Sequence, residues 1–364
     1  MSQLHSSIRY NNSDRLFYNT LRKRVDEYFR TNQISKYGNY KMVIKSICMF
    51  AFYLIPYFLL VFNFSSNHWI QMGLVVLAGC GMAGIGLGVM HDANHGSYSK
   101  NPTINKIMSY SIVLIGGYPL NWQLQHNNLH HTYTNIDGVD EDIAPPGILR
   151  FSPHSKYKKI HRLQIVYAWF FYGFMTIMWS LTKDFKQLNR YTRMGLLATA
   201  KKTYGKELTQ IILTKSLYYV YVIVVPMILM DVAWWQILIG FFIMHFTAGL
   251  VLALIFQPAH VVEETTFPLP DATGNMENDW AVHQLYTTAN FAPKGFLFSW
   301  YVGGLNFQVE HHLFPNICHV HYKKLSKIVK ETANEFGLPY HSQPTFAGAV
   351  ISHAKMLWKF GQAA

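Results

Sequence analysis

Long apolar stretches alternate with polar, basic segments along this chain. A helix that crosses a bilayer needs about 20 mostly apolar residues, and four stretches meet that requirement: residues 42–63, 69–90, 211–230 and 232–257. Two other stretches, 104–120 and 163–181, are weaker candidates. Because a helix satisfies its own backbone hydrogen bonds inside lipid, the pattern predicts an all-α membrane protein with four transmembrane helices.

Basic residues are distributed unevenly between these stretches. The short link after residue 63 and the turn around Asp231 contain no Lys or Arg, whereas the other connections are rich in both. Positively charged loops tend to stay in the cytoplasm. We therefore predict two transmembrane hairpins, with both termini and the basic segments on the cytoplasmic side. The basic segments are residues 22–24, 156–162, 183–206 and 323–327.

The two weaker stretches are predicted to be interfacial helices. If residues 163–181 crossed the membrane alone, the histidine-rich segments before and after them would face opposite sides. We therefore expect 163–181 and 104–120 to lie in, or dip into, the cytoplasmic leaflet. This organises the chain as a cytoplasmic N-terminal segment (1–41), a membrane domain (42–325) with a cytoplasmic histidine-rich cap, and a cytoplasmic C-terminal segment (326–364). The polar, basic start of the chain contains no apolar region of a cleavable signal peptide.

Composition agrees with a membrane protein and argues against several other classes. Only 14% of residues are charged, compared with about 25% in a typical soluble domain. The net charge of +12 is interpreted as cytoplasmic loops facing anionic lipid rather than as a nucleic-acid surface. Three scattered cysteines are too few for a disulfide framework or a zinc ribbon.

Eighteen histidines stand out, and seven of them fall in three short motifs. The motifs are HDANH at residues 91–95, HNNLHH at 126–131 and QVEHH at 308–312. An additional histidine ends the last apolar stretch in the segment FQPAH. The candidate metal ligands are His91, His95, His126, His130, His131, His260, Gln308, His311 and His312.

The spacing within the motifs predicts two metal ions rather than one. Residues four apart share a helix face, so His91 with His95 and His126 with His130 can each converge on one metal. The adjacent His131 points about 100° further around the helix and suits a second metal. Eight imidazoles and one amide exceed the four to six ligands of a single ion. Imidazole suits Zn, Cu, Fe and Ni, and without thiolates we favour a redox-active pair of iron ions.

The remaining histidines are interpreted more conservatively. His245 lies about 22 Å along a helix from His260, too far to reach the same metals, and we predict a structural role for it. His283 is left undecided. We predict surface or interfacial positions for His154, His161, His319, His321, His341 and His353. Carboxylates and amides close to the motifs are candidates for orienting the imidazoles: Asp92, Asn94, Asp137, Asp140, Glu263 and Glu310.

Together, the three motifs and the two hairpins around them resemble the membrane fatty acid desaturases over residues 42–325. GGLNFQVEHHLFP (303–315), with Gln at the first position of the third motif, resembles the front-end branch, which desaturates between an existing double bond and the carboxyl end. The resemblance implies a non-haem di-iron centre on the cytoplasmic side, bound by the nine candidate ligands. It also implies a long-chain acyl substrate, carried as acyl-CoA or acyl-lipid. The sequence contains no His-Pro-Gly-Gly motif of a fused cytochrome domain, so we expect electrons from a separate ferredoxin or cytochrome, as in a bacterial inner-membrane enzyme.

Three alternatives remain at this point. A di-iron hydroxylase or ketolase of lipids, sterols or carotenoids would use the same ligands. A metal-ion transporter would spread ionisable groups through its spans, whereas most of these histidines lie outside them. A zinc protease is a further alternative, because HDANH resembles the HExxH motif of such enzymes, but it would explain only the first motif. For an acyl chain we expect an apolar slot between the spans, with Trp234, Trp235 and Phe241 as candidate lining residues.

Overall fold

The structure, a computed structural model, describes residues 8–12, 15–145 and 147–362. The chain forms two compact units, each assembled from separate parts of the sequence. Unit 1 comprises Met1–Asn39, Gln125–Ala168 and Ile255–Ala364, and unit 2 comprises Tyr40–Leu124 and Trp169–Leu254. The predicted segments 1–41, 42–325 and 326–364 concern position relative to a membrane and stay predictions. Residues 1–7, 13 and 14 of the first segment lie outside the described residues.

Unit 2 is built from helices. Its α-helices are Tyr40–Val61, His68–Gly84, Met90–Asn94, Pro102–Ser109, Pro119–Gln123, Met175–Met178, Asp184–Arg193, Leu196–Thr199, Tyr204–Tyr219, Val225–Leu229 and most of Trp234–His260. Three π-helical turns, Ile85–Val89, Trp179–Lys183 and Val220–Val224, and one 3₁₀ segment, Tyr110–Ile115, join some of them.

Among the described residues, four helical segments are long and apolar enough to cross a membrane: Tyr40–Val61, His68–Asn94, Tyr204–Leu229 and Trp234–His260. They match the four predicted stretches to within a few residues, apart from an earlier start at Tyr204, and confirm a helical membrane protein with four candidate spans. Large apolar side chains remain exposed along them, among them Ile47, Phe58 and Leu217. In a bilayer these side chains can contact lipid, because the hydrocarbon region contains no water that would make exposed apolar surface unfavourable.

Two glycines allow helices of unit 2 to approach each other closely. A Cβ on Gly81 would lie 2.5 Å from the backbone nitrogen of Tyr53, and one on Gly79 would lie 2.6 Å from the carbonyl oxygen of Met244. Both distances are shorter than real Cβ contacts, so any larger residue would push the helices apart. The helix that contains both glycines starts at a cap in which the side chain of Asn67 accepts a hydrogen bond from the nitrogen of Trp69.

The weaker apolar stretches do not form straight spans in the described residues. The helical pair Lys159–Tyr172 and Met175–Arg193 is bent by 66° at a short break. The stretch that starts at residue 104 lies in an eight-residue α-helix and a 3₁₀ segment that ends at Gly116, where φ is +79°. Such short or bent elements are compatible with interfacial helices, and their position in a leaflet stays a prediction.

The described part of unit 1 contains the remaining helices and one very small sheet. Its α-helices are Leu16–Thr31, the start of Gln164–Tyr172, Trp280–Thr287, Phe296–Tyr301, Gln308–Leu313, Tyr322–Glu335 and Phe346–Gly361. The π-helical turn Leu124–His130 and the 3₁₀ turns Glu141–Ile143, Lys159–Leu163 and His319–His321 complete its helical structure. The strands Ala289–Phe291 and His341–Gln343 pair in parallel, with Asn290 opposite Ser342. The sequence pattern did not predict these strands, since three residues are too few for a recognisable alternation.

The core of unit 1 joins the N-terminal helix to the helices around the third histidine motif. Phe17, Leu21 and Val25 pack with Leu313 and Leu325 in one buried apolar cluster. At its edge, Arg24 forms a bidentate pair with Glu335, at 2.9 and 2.6 Å. The cluster holds Gln308–Leu313 and Tyr322–Glu335 in a fixed arrangement within unit 1.

Candidate metal centre

Six of the predicted ligands converge in unit 1, and all six side chains are buried: His126, His130, His131, His260, His311 and His312. Within this set, the ligand atoms of two histidine triads lie within 4.8 Å of one another. One triad is His130, His260 and His312, and the other is His131, His311 and His312. A further group joins His126 and His130 to Asp142.

The Nε2 atoms of His126, His131 and His311 form a tight triangle. The distances are 3.2 Å between His126 and His131, 3.0 Å between His131 and His311, and 3.4 Å between His126 and His311. A metal–imidazole bond of about 2.0–2.1 Å places neighbouring ligand nitrogens about 3 Å apart, so this triangle fits three nitrogens around one cation.

A π-helical turn explains why His126 lies beside His131. The sequence predicted an α-helix, with His126 and His130 on one face and His131 turned away from it. Instead, the nitrogen of His131 donates to the carbonyl oxygen of His126, five residues earlier, and residues 124–130 are π-helical. In this geometry residues five apart share a face, so His131 joins His126. π-helical turns are frequent at functional sites because the inserted residue redirects neighbouring side chains.

Outward hydrogen bonds fix the rings of four imidazoles through Nδ1. The partners are the carboxylate of Asp140 for His130, at 3.1 Å, and the backbone carbonyl of Thr287 for His260, at 3.2 Å. The hydroxyl of Tyr322 lies 3.2 Å from His311, and the side-chain oxygen of Gln284 lies 2.8 Å from His312. Such partners leave Nε2 available inward, which is the usual arrangement around metal-binding histidines.

Of the six suggested orienting residues, Asp140 has this role toward His130. Its Oδ2 also accepts from the nitrogen of Asn135 and its Oδ1 from the nitrogen of Asp142. Burial lowers the pKa of His130, but the carboxylates of Asp140 and Asp142 outweigh burial and raise that pKa to about 9. Burial raises the pKa of Asp140, but His130 and the hydrogen bonds outweigh it and lower that pKa below its usual value.

The other suggested orienting residues have different partners. Asp137 accepts from Ser155, Glu263 pairs with Lys355, and Glu310 contacts Asn290 and Tyr340. In unit 2, Asn94 accepts from Gln123, and Asp92 lies 3.8 Å from Nδ1 of His91. The orienting residues that sequence reasoning missed are Thr287, Gln284 and Tyr322, and no short motif marks them.

Gln308 begins the helix that contains His311 and His312 and is buried. Among the described residues, its Nε2 atom has no hydrogen-bond partner. The helix is held in place by Glu310, whose two carboxylate oxygens accept from Asn290 and from the Tyr340 hydroxyl. Burial raises the pKa of Glu310 to about 7, against the lowering effect of these hydrogen bonds.

His91 and His95 belong to unit 2. They follow the π-helical turn Ile85–Val89, and their ring centroids lie 4.8 Å apart. Both rings pack against Trp122 in a T-shaped arrangement, with ring centroids 5.4 and 5.5 Å apart. The two rings therefore lie side by side within unit 2, and their convergence on one metal stays a prediction.

The structure assigns clear positions to the histidines outside the motifs. His245 is buried, with Nε2 2.5 Å from the Tyr218 hydroxyl and Nδ1 3.0 Å from the Thr176 hydroxyl, as expected of a structural residue. His283, left undecided, is also buried and contacts the carbonyl oxygen of Thr134 at 2.8 Å. Burial lowers the pKa of His283 to about 4, which keeps this ring neutral.

The prediction that six further histidines occupy surface or interfacial positions is wrong for four of them, because their side chains are buried in the protein. His161, His319, His321 and His353 are buried. Two of these rings illustrate the contacts that burial provides. Nδ1 of His353 lies 2.8 Å from the carbonyl oxygen of Val261, and the rings of His321 and Phe29 form a T-shaped pair. Nothing in the polar sequence around them indicated burial, because it results from packing against distant segments.

The donor set suits a metal centre. Nε2 of His260 is buried and has no hydrogen-bond partner among the described residues, and an unsatisfied buried nitrogen is costly unless a cation binds it. Three further nitrogens converge within 3.4 Å, where a cation can accept all three lone pairs. The donors are imidazoles and carboxylates with no thiolate among them, which matches borderline metals such as iron rather than a Cys-rich zinc site.

Comparison with known proteins gives one consistent result. The model of the family described as fatty acid desaturase matches residues 66–344. Over 350 residues the chain is 36% identical to a protein of Synechocystis sp. named sn-1 linoleoyl-lipid 6-desaturase, covering 95% of this chain and 96% of that protein. A protein of the same name from Arthrospira platensis is 33% identical, over 94% and 92% of the two chains. An acyl-lipid (8-3)-desaturase of Physcomitrium patens is 34% identical, over 95% and 72%.

Proposed function

The chain belongs to the fatty acid desaturase family and is a fatty acid desaturase, and from this premise we propose that it inserts a cis double bond on the carboxyl side of an existing one in a lipid-bound acyl chain. The relatives named linoleoyl-lipid 6-desaturase and acyl-lipid (8-3)-desaturase support both the front-end position and a lipid carrier. The observation that carries the proposal is the cluster of six buried imidazoles in unit 1.

The proposed metal ligands are the nine predicted residues. In unit 1, His126, His131 and His311 would hold one side of the centre through Nε2, while His130, His260 and His312 would hold the other. His91 and His95 of unit 2 and the amide of Gln308 complete the proposed set. Two iron ions bound there would supply the O2-dependent removal of two hydrogens from adjacent CH2 groups.

The chain's own residues prepare this chemistry by orientation and by exclusion of water. Asp140, Gln284 and the carbonyl of Thr287 hold three rings with Nε2 directed inward. Burial of the whole cluster excludes water, which protects a reactive centre from side reactions. Since the reacting carbons carry no polar group, selectivity among acyl chains must come from the shape of the apolar site.

The overall reaction needs an external electron source. A saturated –CH2–CH2– pair, O2, two electrons and two protons give –CH=CH– and two molecules of water. We propose that a separate ferredoxin or cytochrome donates the electrons. We also propose that the protein resides in a bacterial inner membrane, with the histidine motifs and both termini facing the cytoplasm, as the distribution of basic segments supports.

A lipid profile tests the proposal. The chain and its His312→Ala variant are expressed in a host fed linoleate, and the acyl chains of each lipid class are analysed by mass spectrometry with location of double bonds. We expect a product two mass units lighter with a new bond on the carboxyl side, absent in the variant. A product heavier by one oxygen would instead identify a hydroxylase. A wild-type profile without a new bond, from iron-loaded protein with electrons supplied, would overturn the proposal.

A further inference from the structure

The helix Tyr322–Glu335 presents a basic face in unit 1. Lys323, Lys324, Lys327 and Lys330 are all exposed. Lys323, Lys327 and Lys330 occupy positions i, i+4 and i+7, so they form one stripe along the helix. The opposite side of the helix is buried in the core of unit 1 through Tyr322, Leu325 and Val329.

Two of these lysines stand where they oppose the helix dipole. The N-terminus of a helix carries partial positive charge and favours acidic side chains. Here the first turn contains Lys323 and Lys324 and no acidic residue. Residues that break a local structural preference and gain no stabilising contact are expected at functional sites. An exposed pair of lysines contributes little to packing, so Lys323 and Lys324 are residues of this kind.

Nearby acids leave this stripe largely uncompensated. On the same helix, Glu335 is engaged by Arg24 of the neighbouring helix Leu16–Thr31. On that neighbouring helix, Asp26 and Glu27 pair with Arg22 and Arg30. Glu331 is the remaining exposed acid on the helix Tyr322–Glu335. The described residues therefore leave net positive charge on this surface.

The same helix leads directly to the candidate metal centre. Its first residue, Tyr322, is buried, and its hydroxyl lies 3.2 Å from Nδ1 of His311. The lysine stripe begins one residue later. A partner seated on the stripe is thus linked to a proposed metal ligand by one side chain and one hydrogen bond.

We propose that the basic face formed by Lys323, Lys324, Lys327 and Lys330 is the docking surface for an acidic electron-transfer protein. The inference rests on the proposed function, because it assigns the entry of the electrons which that function requires. Two successive dockings each deliver one electron and leave one oxidised carrier. The two electrons, with two protons, O2 and the two hydrogens taken from the acyl chain, account for two molecules of water.

An anionic membrane surface is the competing occupant for a row of lysines. Helices that bind bilayers at the interface combine basic residues with exposed Trp, Phe or Leu. Among the described residues, the large exposed apolar side chains of unit 1 lie on other segments, such as Phe296, Leu297 and Trp358. The helix Tyr322–Glu335 exposes none of this kind, which favours a soluble acidic partner.

The test measures binding directly, without turnover. The full chain, loaded with iron, is placed in nanodiscs of zwitterionic lipid, and the affinity of an acidic plant-type [2Fe–2S] ferredoxin is measured at low and at moderate salt. The variant K323E/K324E/K327E is compared with K186E/K202E/K206E, which makes the same charge change at exposed lysines of unit 2. Acidic residues suit the first turn of a helix, so the first variant should fold.

We expect the first variant to bind ferredoxin at least about 10-fold more weakly at low salt, mainly through slower association, while the control changes less than about 2-fold. Equal weakening in both variants, or none in the first, would overturn the docking surface. Unchanged ferredoxin binding by the first variant is also the result expected if the lysines face an anionic membrane.

Chemical reduction separates this inference from the proposed function. With dithionite and a mediator in place of ferredoxin, K323E/K324E/K327E should desaturate as well as the wild type. If this variant forms no double bond with dithionite while the wild type does, the substitutions have damaged the centre. Loss of a docking surface is then refuted as the explanation of weaker ferredoxin binding. If the wild type forms no double bond with either electron source, the proposed function fails, whereas the binding result still decides the surface.

Discussion

Nδ1 of His130 lies 3.1 Å from both carboxylate oxygens of Asp140. The contact is buried on both sides and joins residues only ten positions apart in the chain. It fixes the direction in which Nε2 of His130 faces and thereby links an acidic loop to the histidine cluster.

Replacing Asp140 by Asn should weaken metal binding while the fold is retained. Loss of a carboxylate that orients a metal-binding histidine typically costs about 10- to 100-fold in metal affinity. Iron content after purification and competition with a graded chelator give the measurement. Asp137→Asn is the matched control, because Asp137 contacts Ser155 rather than an imidazole. Unchanged iron affinity in Asp140→Asn would contradict the orienting role.

Two buried histidines near the same span should respond differently to substitution. His260→Ala removes a proposed ligand and should lower bound iron, measured by elemental analysis, well below one half of the wild-type content. His245→Gln removes the contacts with Tyr218 and Thr176. It should lower thermal stability, by about 1–3 kcal/mol for a buried polar group left unsatisfied, and leave the iron content unchanged. Loss of iron in His245→Gln but not in His260→Ala would contradict both assignments.

Gly81→Ala should destabilise unit 2. The added carbon would meet the Tyr53 backbone at 2.5 Å, and overpacking of this kind typically costs about 1–3 kcal/mol. Gly73 lies in the same helix, and a Cβ added there would have no neighbouring atom within 4 Å, so Gly73→Ala should be neutral or stabilising by up to about 1 kcal/mol through helix propensity. Thermal unfolding of both variants in the same detergent distinguishes them. Equal behaviour would refute the close helix contact.

His353 should make the protein less stable in mild acid. Burial lowers its pKa to about 4, while the unfolded chain has a value of about 6.5. Between pH 6.5 and 4 the unfolded state binds the proton more readily, so stability is present in full above pH 6.5 and falls as the pH drops. The difference corresponds to about 3 kcal/mol once both states are protonated.

The measurement for His353 is denaturant unfolding of the wild type and His353→Asn at several pH values. The variant loses the contact with the carbonyl oxygen of Val261 and should be less stable at pH 7. Its stability should also fall less steeply than that of the wild type between pH 6.5 and 4. Parallel pH profiles would show that His353 does not titrate in this way.

Several features of the fold were accessible from the sequence for simple physical reasons. A span such as Trp234–His260 is recognisable because lipid demands about 20 apolar residues in continuous helix. The sequence also indicated that His245 lies too far from His260 to bind the same metals, because a helix rises only 1.5 Å per residue. Asp140 was identified as a candidate because it is close in the chain to His130, whose ring it contacts.

Other features were not accessible, because they depend on backbone detail or on distant residues. The π-helical turn Leu124–His130 moves His131 onto the side of His126, and no residue type in HNNLHH distinguishes it from an α-helix. The burial of His353 arises from packing against Phe151 and Val261. The short strand Ala289–Phe291 finds its partner about fifty residues later.

The sequence by itself determined the class of this protein: a helical membrane protein with histidines at metal-binding spacings, because hydrophobic length and ligand chemistry are local properties. Only the tertiary structure decided which imidazoles of unit 1 lie close together and which residues orient each ring. His126 meets His311 across 185 positions, and His312 meets Gln284 across 28. Such contacts are set by packing of whole segments, and a ligand motif contains no information about the distant residue that will orient it.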